Sequence, residues 1–377
     1  MNKLIYLFIA ILIVSFLCFL NLDFKSNITT KNSTKVEESI DERVDKILLS
    51  MSKTEKLGQM IMIGIYGTDV TDDSIYMLHQ YHIGGIVLFD RNLKSTEQIK
   101  NLIKNLQRRS EEKVPLFIAI DEEGGEVVRM KEIIQAPPSQ LEIAKTNKPE
   151  NARMWAKKTA SELKKLGINT NFAPVADLGS MGMERHYSNN VMTVKKFVMQ
   201  AAKGYEDENM LYSLKHFPGI GKAVQDPHID SVTVMSNKKD IMNEDILPFE
   251  YIIKENIPEN YFIMVSNVVY PFIAGNIPSS LSSEIMTNIL RKELGYHGII
   301  ITDDMDMGSV SKYYNFRDIG VKSIEAGADI VMICHDYSHA TDAYLGLLDA
   351  LDKGEISEKR IDESVRRIIK VKLLHLM

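Results

Sequence analysis

The sequence has few of the features that mark several large classes of protein. Its 377 residues include only two cysteines, Cys18 and Cys334, which lie far apart. Such a pair provides neither a disulfide framework nor the ligand clusters of a zinc module. The net charge of −6 comes without a clustered basic stretch, so we expect no nucleic-acid partner. No internal repeat of solenoid length is visible either.

An apolar run near the N-terminus is the most distinct local feature. Lys3 precedes an almost unbroken apolar stretch at 4–20, and a polar stretch without aromatic residues lies at 25–41. A run of this length behind a positive charge is typical of a membrane segment with its N-terminus inside and the rest of the chain outside. The alternatives are a cleavable signal peptide and a buried core helix. No small-residue cleavage pattern follows the run, which favours an uncleaved anchor.

This segment predicts how the chain is organised. We expect a membrane anchor or signal segment at 1–24, a polar linker at 25–45 and one folded domain at 46–377. Leu17, which precedes Cys18, is bulkier than the residue expected before a lipoprotein cysteine. The predicted location is extracytoplasmic, anchored to the cell membrane, or secreted if the segment is cleaved.

From Met51 onward, short apolar runs alternate with longer segments of helical period. Continuous apolar runs are typical of strands buried on both faces, and their alternation with helices indicates a parallel sheet. Eight such units predict an α/β fold with a single (β/α)8 barrel of the TIM type. An open, doubly wound sheet is the alternative, but no Gly-x-Gly-x-x-Gly turn follows the first strand. The predicted strands are 59–65, 84–89, 116–120, 171–175, 210–214, 261–265, 298–302 and 328–333.

Ionisable residues follow three of these strands: Asp121, then Lys215 with His216, then Asp303 with Asp304. In a barrel of this type the carboxyl ends of the strands meet at one face, where the chemistry takes place. A single acid at a strand end is also typical of a helix cap or an ion pair. Several ionisable groups buried together cost stability unless they are used or paired. We therefore predict a functional site at this face.

Asp303 is the candidate nucleophile for attack on an anomeric carbon. Such a carboxylate must be ionised and rigidly held, and the end of a strand provides a rigid position. Its neighbour Asp304 is expected to be the N-cap of the following helix.

The segment Lys-His-Phe-Pro-Gly-Ile-Gly at 215–221 has the composition of a turn that binds a ligand. Its glycines permit close backbone approach, and Lys215 and His216 can donate hydrogen bonds to hydroxyl groups. The lysine precedes the glycines and no Gly-Lys-Ser/Thr is present, which excludes a Walker-type phosphate loop.

Further along this loop, Asp226 lies two residues before His228. An aspartate so placed can orient the imidazole and stabilise its protonated form, as a general acid or base requires. Two other interpretations remain open, a surface pair without function and, ranked last, a pair of metal ligands.

These segments resemble glycoside hydrolase family 3, and more narrowly its β-N-acetylglucosaminidase branch. The resemblance runs from about residue 51 to the end. It is carried by Ile-Asp-Glu-Glu-Gly-Gly-Glu-Val-Val-Arg at 120–129, Asn-Phe-Ala-Pro-Val-Ala-Asp at 171–177, Lys-His-Phe-Pro-Gly at 215–219 with Asp-x-His at 226–228, Ile-Thr-Asp-Asp-Met-Asp-Met at 301–307 and Gly-Ala-Asp at 327–329.

The resemblance implies a (β/α)8-like barrel and a retaining, two-step mechanism. Asp303 matches the nucleophile that forms the glycosyl-enzyme, His228 matches the acid/base of this branch, and Asp226 matches its partner. The residues that match those holding the non-reducing N-acetylglucosamine are Asp121, Arg129, Lys215, His216 and, within Glu-Arg-His-Tyr-Ser, Arg185.

The chain departs from the family pattern at four positions. Ile220 stands where the branch usually has histidine, and Pro227 replaces the usual serine between Asp226 and His228. Both changes lie in the predicted acid/base loop. Glu122 replaces a glutamine and Glu126 an arginine.

The expected function is therefore removal of non-reducing N-acetylglucosamine from peptidoglycan fragments by a retaining exo-β-N-acetylglucosaminidase. A β-N-acetylglucosaminide phosphorylase is the alternative within the same chemistry, because a neutral imidazole repels an incoming phosphate less than a carboxylate does. A non-catalytic sugar-binding protein of the cell wall is the alternative from another class.

The resemblance implies neither a cofactor nor a metal. We expect the release of N-acetylglucosamine from a chromogenic β-N-acetylglucosaminide to proceed at the same rate with and without EDTA. Loss of activity in EDTA that added zinc restores would contradict this expectation.

Overall fold

The computed structural model describes residues 38–110, 113–179, 184–223 and 232–377. The predicted anchor at 1–24 lies outside these ranges. Within them, no helix has the length and apolarity that crossing a membrane requires. The elements below belong to the compact unit Ile40–Met377.

Eight parallel strands form a closed barrel in which each strand pairs with its neighbours in sequence and β8 pairs with β1. The predicted single barrel of the TIM type is thereby confirmed. Every strand residue except Asp303 is buried, which explains why the strands read as continuous apolar runs. The strands are β1 Ile61–Gly64, β2 Gly85–Leu88, β3 Phe117–Ile120, β4 Thr170–Asn171, β5 Leu211–Phe217, β6 Tyr261–Val265, β7 Ile299–Asp304 and β8 Ile330–Ile333.

The helices surround the barrel. Two wide π-helical segments, Ile241–Asp245 and Glu284–Glu293, lie among them. The α-helices are α1 Ile40–Ser50, α2 Lys53–Gln59, α3 Asp72–Tyr81, α4 Thr96–Ser110, α5 Gln140–Lys145, α6 Glu150–Leu166, α7 Val191–Glu206, α8 Lys238–Asp240, α9 Leu247–Glu255, α10 Pro271–Ala274, α11 Gly308–Ser311, α12 Phe316–Ala326, α13 Tyr337–Asp352 and α14 Glu358–His375.

Strand β4 is shorter than the predicted strand 171–175. Beyond Asn171 the backbone still bonds to β5, where Ala173 accepts the N–H of Ser213 at 3.2 Å and Ala176 donates to the carbonyl of Lys215 at 2.7 Å. On the opposite side, a side chain takes the place of a neighbouring strand at Val175. The amide of Gln140 donates to the carbonyl of Val175 and accepts its N–H, both at 2.9 Å. Pro174 has no N–H to donate. Because Gln140 lies 35 residues before Val175, the local pattern around β4 does not reveal this contact.

A buried aspartate anchors the C-terminal helix to the barrel. Asp329, which is fully buried before β8, pairs with Arg291 and with Arg367, the latter at 3.0 Å. It also accepts hydrogen bonds from Ser364 at 2.5 Å and from the N–H of Ile300 at 2.9 Å. Its carboxylate thus joins β7, β8, the π-helix Glu284–Glu293 and α14. The Gly-Ala-Asp motif at 327–329 therefore has a structural role.

We expect Asp329→Ala to lower the free energy of unfolding by about 3–5 kcal/mol, because it leaves Arg291 and Arg367 without their buried counterion. Asp349, paired with Arg317 on the surface and 53% exposed, is the matched control. Asp349→Ala should cost less than about 1 kcal/mol. Urea unfolding curves of the two variants measure the difference, and equal losses would contradict the role assigned to Asp329.

Candidate active site

A cavity of about 440 Å³ opens at the carboxyl ends of the strands. This is the face at which barrels of this type carry their chemistry. Two predicted site residues, Asp226 and His228, lie outside the described residues. The other six all line the cavity: Asp121, Arg129, Arg185, Lys215, His216 and Asp303.

Glu123 is the centre of a buried ionic network in this cavity. The Nζ of Lys215 lies 2.5 Å from Glu123 Oε1 and 2.7 Å from Asp121 Oδ1. Arg185 binds the same glutamate with two hydrogen bonds, of 2.8 and 2.9 Å. These short hydrogen bonds between charged groups fix the positions of Lys215 and Arg185. The network joins the end of β3 to the end of β5 and to the loop after β4.

Glu123 and Lys215 stay ionised although they are buried. Burial alone would raise the pKa of Glu123, but Lys215 and Arg185 hold it well below its usual range. Burial would lower the pKa of Lys215, and Asp121 and Glu123 raise it instead. Glu123 was not among the predicted site residues. The sequence feature that could have identified it is its position two residues after Asp121. In an extended chain, side chains two residues apart lie on the same face.

Asp177 orients His216. Its Oδ2 lies 2.8 Å from the Nδ1 of His216, and its Oδ1 accepts the N–H of His216 at 3.1 Å. The same oxygen accepts the N–H of Ile220 at 2.9 Å. When Nδ1 carries the proton, Nε2 is the ring nitrogen left for other partners, and it lies 3.4 Å from Arg185 Nη2.

The glycines of the segment 215–221 pack closely against neighbouring loops. A Cβ on Gly219, whose φ is +123°, would lie 2.8 Å from the Cβ of Asp245. A Cβ on Gly221 would lie 1.4 Å from the carbonyl oxygen of Leu178. These glycines are therefore required for packing between loops of the protein itself. Between them, Ile220 lines the cavity.

Asp303 is the last residue but one of β7 and is partly exposed in the cavity. Its Oδ1 accepts the N–H of Asp304 at 2.8 Å. Its other oxygen makes no hydrogen bond to any residue in the described ranges. The backbone thus holds the carboxylate through one oxygen and leaves the second for chemistry.

The prediction that Asp304 caps the next helix is wrong. Helix α11 begins at Gly308, and its N-cap is Met307. Asp304 Oδ1 instead accepts the N–H groups of Asp306 and Cys334, both at 3.1 Å, and its Oδ2 lies 3.2 Å from His335 Nε2. Asp304 therefore ties the end of β7 to the end of β8.

Asp304 and His335 both have raised pKa values, but from different causes. Burial raises the pKa of Asp304. The hydrogen bond to Asp304 raises the pKa of His335. The imidazole therefore keeps its proton to higher pH than an isolated histidine does.

Glu122 points away from the cavity and holds the loop that carries Arg129. Its Oε2 accepts the N–H groups of Arg129 at 2.9 Å and of Met130 at 3.2 Å. Asn171 fixes the backbone of Glu122 from β4 by accepting its N–H at 2.9 Å and donating to its carbonyl at 3.1 Å. The side chain is fully buried, and burial raises its pKa from 4.5 to about 7.

This pKa predicts how Glu122→Gln changes stability. Between pH 4.5 and about 7 the folded protein holds a proton on Glu122 that the unfolded chain has lost, so stability falls as the pH rises. Glutamine keeps a carbonyl for the two N–H groups and has no charge to bury. We expect Glu122→Gln to match the unchanged protein near pH 5 and to exceed its stability at pH 8 by roughly 2–3 kcal/mol.

Urea unfolding at the two pH values measures this difference. Glu126 is an exposed acid in the same loop, and Glu126→Gln should show no such pH-dependent gain. An equal effect of Glu122→Gln at pH 5 and pH 8 would contradict the raised pKa.

Known proteins resemble this chain over most of its length. It is 34% identical to β-hexosaminidase A of Pseudoalteromonas piscicida over 326 residues, covering 78% of this chain and 54% of that protein. It is 32% identical to the β-hexosaminidase of Haemophilus ducreyi, covering 82% of this chain and 91% of that protein. This chain thus spans about half the length of the first relative and nearly all of the second.

The fold is also shared with a solved structure, the family 3 β-N-acetylglucosaminidase from Paenibacillus sp. str. FPU-7. The two superpose with a TM-score of 0.82 at 33% identity, covering 86% of this chain and 62% of that one. The model of the glycosyl hydrolase family 3 N terminal domain matches residues 52–371. Because this match takes in most of the 377 residues, the chain belongs to glycosyl hydrolase family 3.

Proposed function

We propose that the protein is a retaining exo-β-N-acetylglucosaminidase that removes the non-reducing sugar through a covalent glycosyl-enzyme on Asp303. The observation that carries this proposal is the position of Asp303. Its carboxylate lies at the end of β7 in the same cavity as the ionic network of Asp121, Glu123, Arg185 and Lys215. The names of the Haemophilus and Paenibacillus relatives support the choice of sugar.

The ionic network is suited to hold a sugar through its hydroxyl groups. Asp121, Arg129 and Arg185 are each partly exposed at the cavity, whereas Lys215 and Glu123 are buried behind them. The three exposed groups supply acceptors and donors, and the buried pair fixes their positions before a substrate arrives. Polar groups held in this way lose little freedom on binding, which favours a defined orientation of the reacting carbon over Asp303.

Proton transfer is assigned to His228, with Asp226 as its partner, on the basis of the family motif. In the first step Asp303 attacks the anomeric carbon while His228 protonates the leaving oxygen. In the second step His228 takes a proton from water, which releases the sugar with its configuration retained.

The proposed substrate is N-acetylglucosamine β-linked to the next sugar in peptidoglycan fragments. An N-terminal segment that anchors the protein to the outer face of the membrane, or is cleaved from a secreted form, would place the enzyme beside the cell wall. Both statements rest on the sequence motifs and on the apolar run at 4–20.

We expect Asp303→Ala to abolish turnover of a chromogenic β-N-acetylglucosaminide, with a loss of about 10³-fold or more, because no covalent intermediate can form. Azide should restore release of the chromophore and yield the α-glycosyl azide, since the small anion enters on the face that Asp303 vacates. NMR of the first product of the unchanged protein should show the β anomer. An α anomer there would contradict the two-step mechanism.

The same assay, run with and without inorganic phosphate, separates the alternatives. Free N-acetylglucosamine as the product supports the hydrolase, and sugar 1-phosphate formed only with phosphate would make the enzyme a phosphorylase. Binding of the sugar without turnover by the unchanged protein would favour a sugar-binding protein.

A further inference from the structure

The cavity has a second side that the proposed mechanism leaves without a role. In the closed barrel, β1, β2 and β8 lie across from the β4–β6 side. The ionic network occupies the ends of β3 and β5, while the loops after β1, β2 and β8 bring Tyr66, Phe89 and His335 to the opposite rim. Phe89 and His335 line the same cavity as Asp303.

Aromatic rings lie at this rim, and the guanidinium of Arg91 packs over two of them, 5.7 Å from the ring centroid of Tyr66 and 4.5 Å from that of Phe89. Tyr66 is 45% exposed, and the side chain of His335 is 53% exposed. The imidazole packs on Phe89 with ring centroids 5.3 Å apart. Rings that stay partly exposed at the mouth of a polar cavity suit ligands with one apolar face. A pyranose ring has such a face, formed by its axial C–H groups.

The rim is rigid before any ligand binds. The hydroxyl of Tyr66 donates to the carbonyl of His335, and the N–H of Tyr66 donates to the hydroxyl of Tyr337 at 3.4 Å. Arg91 donates to the carbonyls of Ile65 at 2.9 Å and Cys334 at 2.8 Å. These bonds fix the loop after β1 to those after β2 and β8. Side chains ordered in advance lose little entropy on binding.

Gly64, the last residue of β1, makes the close approach of the rim loops possible. A Cβ on Gly64 would lie 2.2 Å from the carbonyl oxygen of Cys334 and 2.7 Å from Arg91 Nη2. Any other residue at this position would displace the link between the rim loops. The close approach therefore serves the geometry of the rim.

His335 also has a free polar atom. Its Nε2 lies against Asp304, and within the described ranges its Nδ1 makes no hydrogen bond. A hydroxyl group of a ligand at the rim can therefore pair with Nδ1. The rim combines a ring for stacking with a fixed hydrogen-bonding atom, and both lie beside the strand end that carries Asp303.

We propose that Tyr66 and His335 form a subsite for the second sugar ring of the substrate, the ring on the leaving-group side of the cleaved bond. This inference rests on the proposed function. With the ring to be removed held by the ionic network, the rim that carries Phe89 and His335 is the side of the same cavity left to the remainder of the saccharide. There it stacks on Tyr66 and bonds to His335.

The test compares two substrates that share the ring to be removed. β-N-Acetylglucosaminyl fluoride has no second ring, and the β-1,4-linked disaccharide of N-acetylglucosamine has one. Tyr66→Ala should lower kcat/KM for the disaccharide about five- to tenfold more than for the fluoride, mainly through KM. His335→Ala should change the ratio in the same direction.

Two further variants serve as controls. Tyr66→Phe keeps the stacking ring but loses the hydrogen bond to the carbonyl of His335, so it should change the ratio of the two substrates less than Tyr66→Ala does. Tyr76 is a 57% exposed tyrosine on α3 that packs edge-on against Tyr81, and Tyr76→Ala should leave both reactions unchanged. Equal losses on both substrates for Tyr66→Ala, or no loss on either, would overturn the subsite.

Binding separates this inference from the proposed function. If the unchanged protein cleaves neither substrate, the proposed function is wrong, and calorimetry with the uncleavable S-linked disaccharide still tests the rim. Weaker binding by Tyr66→Ala than by the unchanged protein then supports the subsite. Equal binding by the two proteins, or no binding by the unchanged protein, overturns it.

Discussion

The pairing of Glu123 with Lys215 and Arg185 is the interaction on which the site depends. A carboxylate and two cations buried at the ends of strands cost several kcal/mol each unless they neutralise one another. Here the distances of 2.5–2.9 Å achieve this, and the three charges lock together the ends of β3 and β5 and the loop after β4. Asp121 is held by the same lysine. The positions of the groups that face the cavity therefore follow from a charge balance behind them.

The sequence predicted the barrel well because its strands are buried on both faces. A buried strand needs an unbroken apolar run, and all eight predicted runs overlap an observed strand. The mismatch at β4 has a non-local cause, since the side chain of Gln140 occupies the N–H and carbonyl of Val175 that a longer strand would pair with β3. The error at Asp304 has the same origin. Its partners, Cys334 and His335, follow β8 about thirty residues later, so a cap was the local explanation.

Three neighbouring acids show which properties of a side chain can be predicted from the sequence and which cannot. In Asp121-Glu122-Glu123 the first and third side chains face the cavity, while the second points inward to hold Arg129. Alternation along extended chain predicts this division once the direction of one residue is known. It does not predict the opposite shifts in pKa, to about 7 for Glu122 and well below the usual range for Glu123. The direction of each pKa shift depends on whether a cation is buried beside the carboxylate. For Glu123 that cation is Lys215, which lies ninety-two positions further along the chain.

The barrel divides its cavity into two unlike halves, with Asp303 on β7 outside the ionic half and next to β8. The half formed by β3, β4 and β5 is ionic, and each of its charges is already paired at a fixed distance. A sugar that leaves these ion pairs intact must match the hydrogen-bond donors and acceptors that the paired side chains present. The cavity is therefore strict about which sugar can be the ring that is removed. The half formed by β1, β2 and β8 offers ring faces and one imidazole nitrogen, and stacking depends little on which hydroxyl groups a sugar carries. On the proposed function, the enzyme should therefore discriminate more sharply on the sugar it releases than on the sugar that remains.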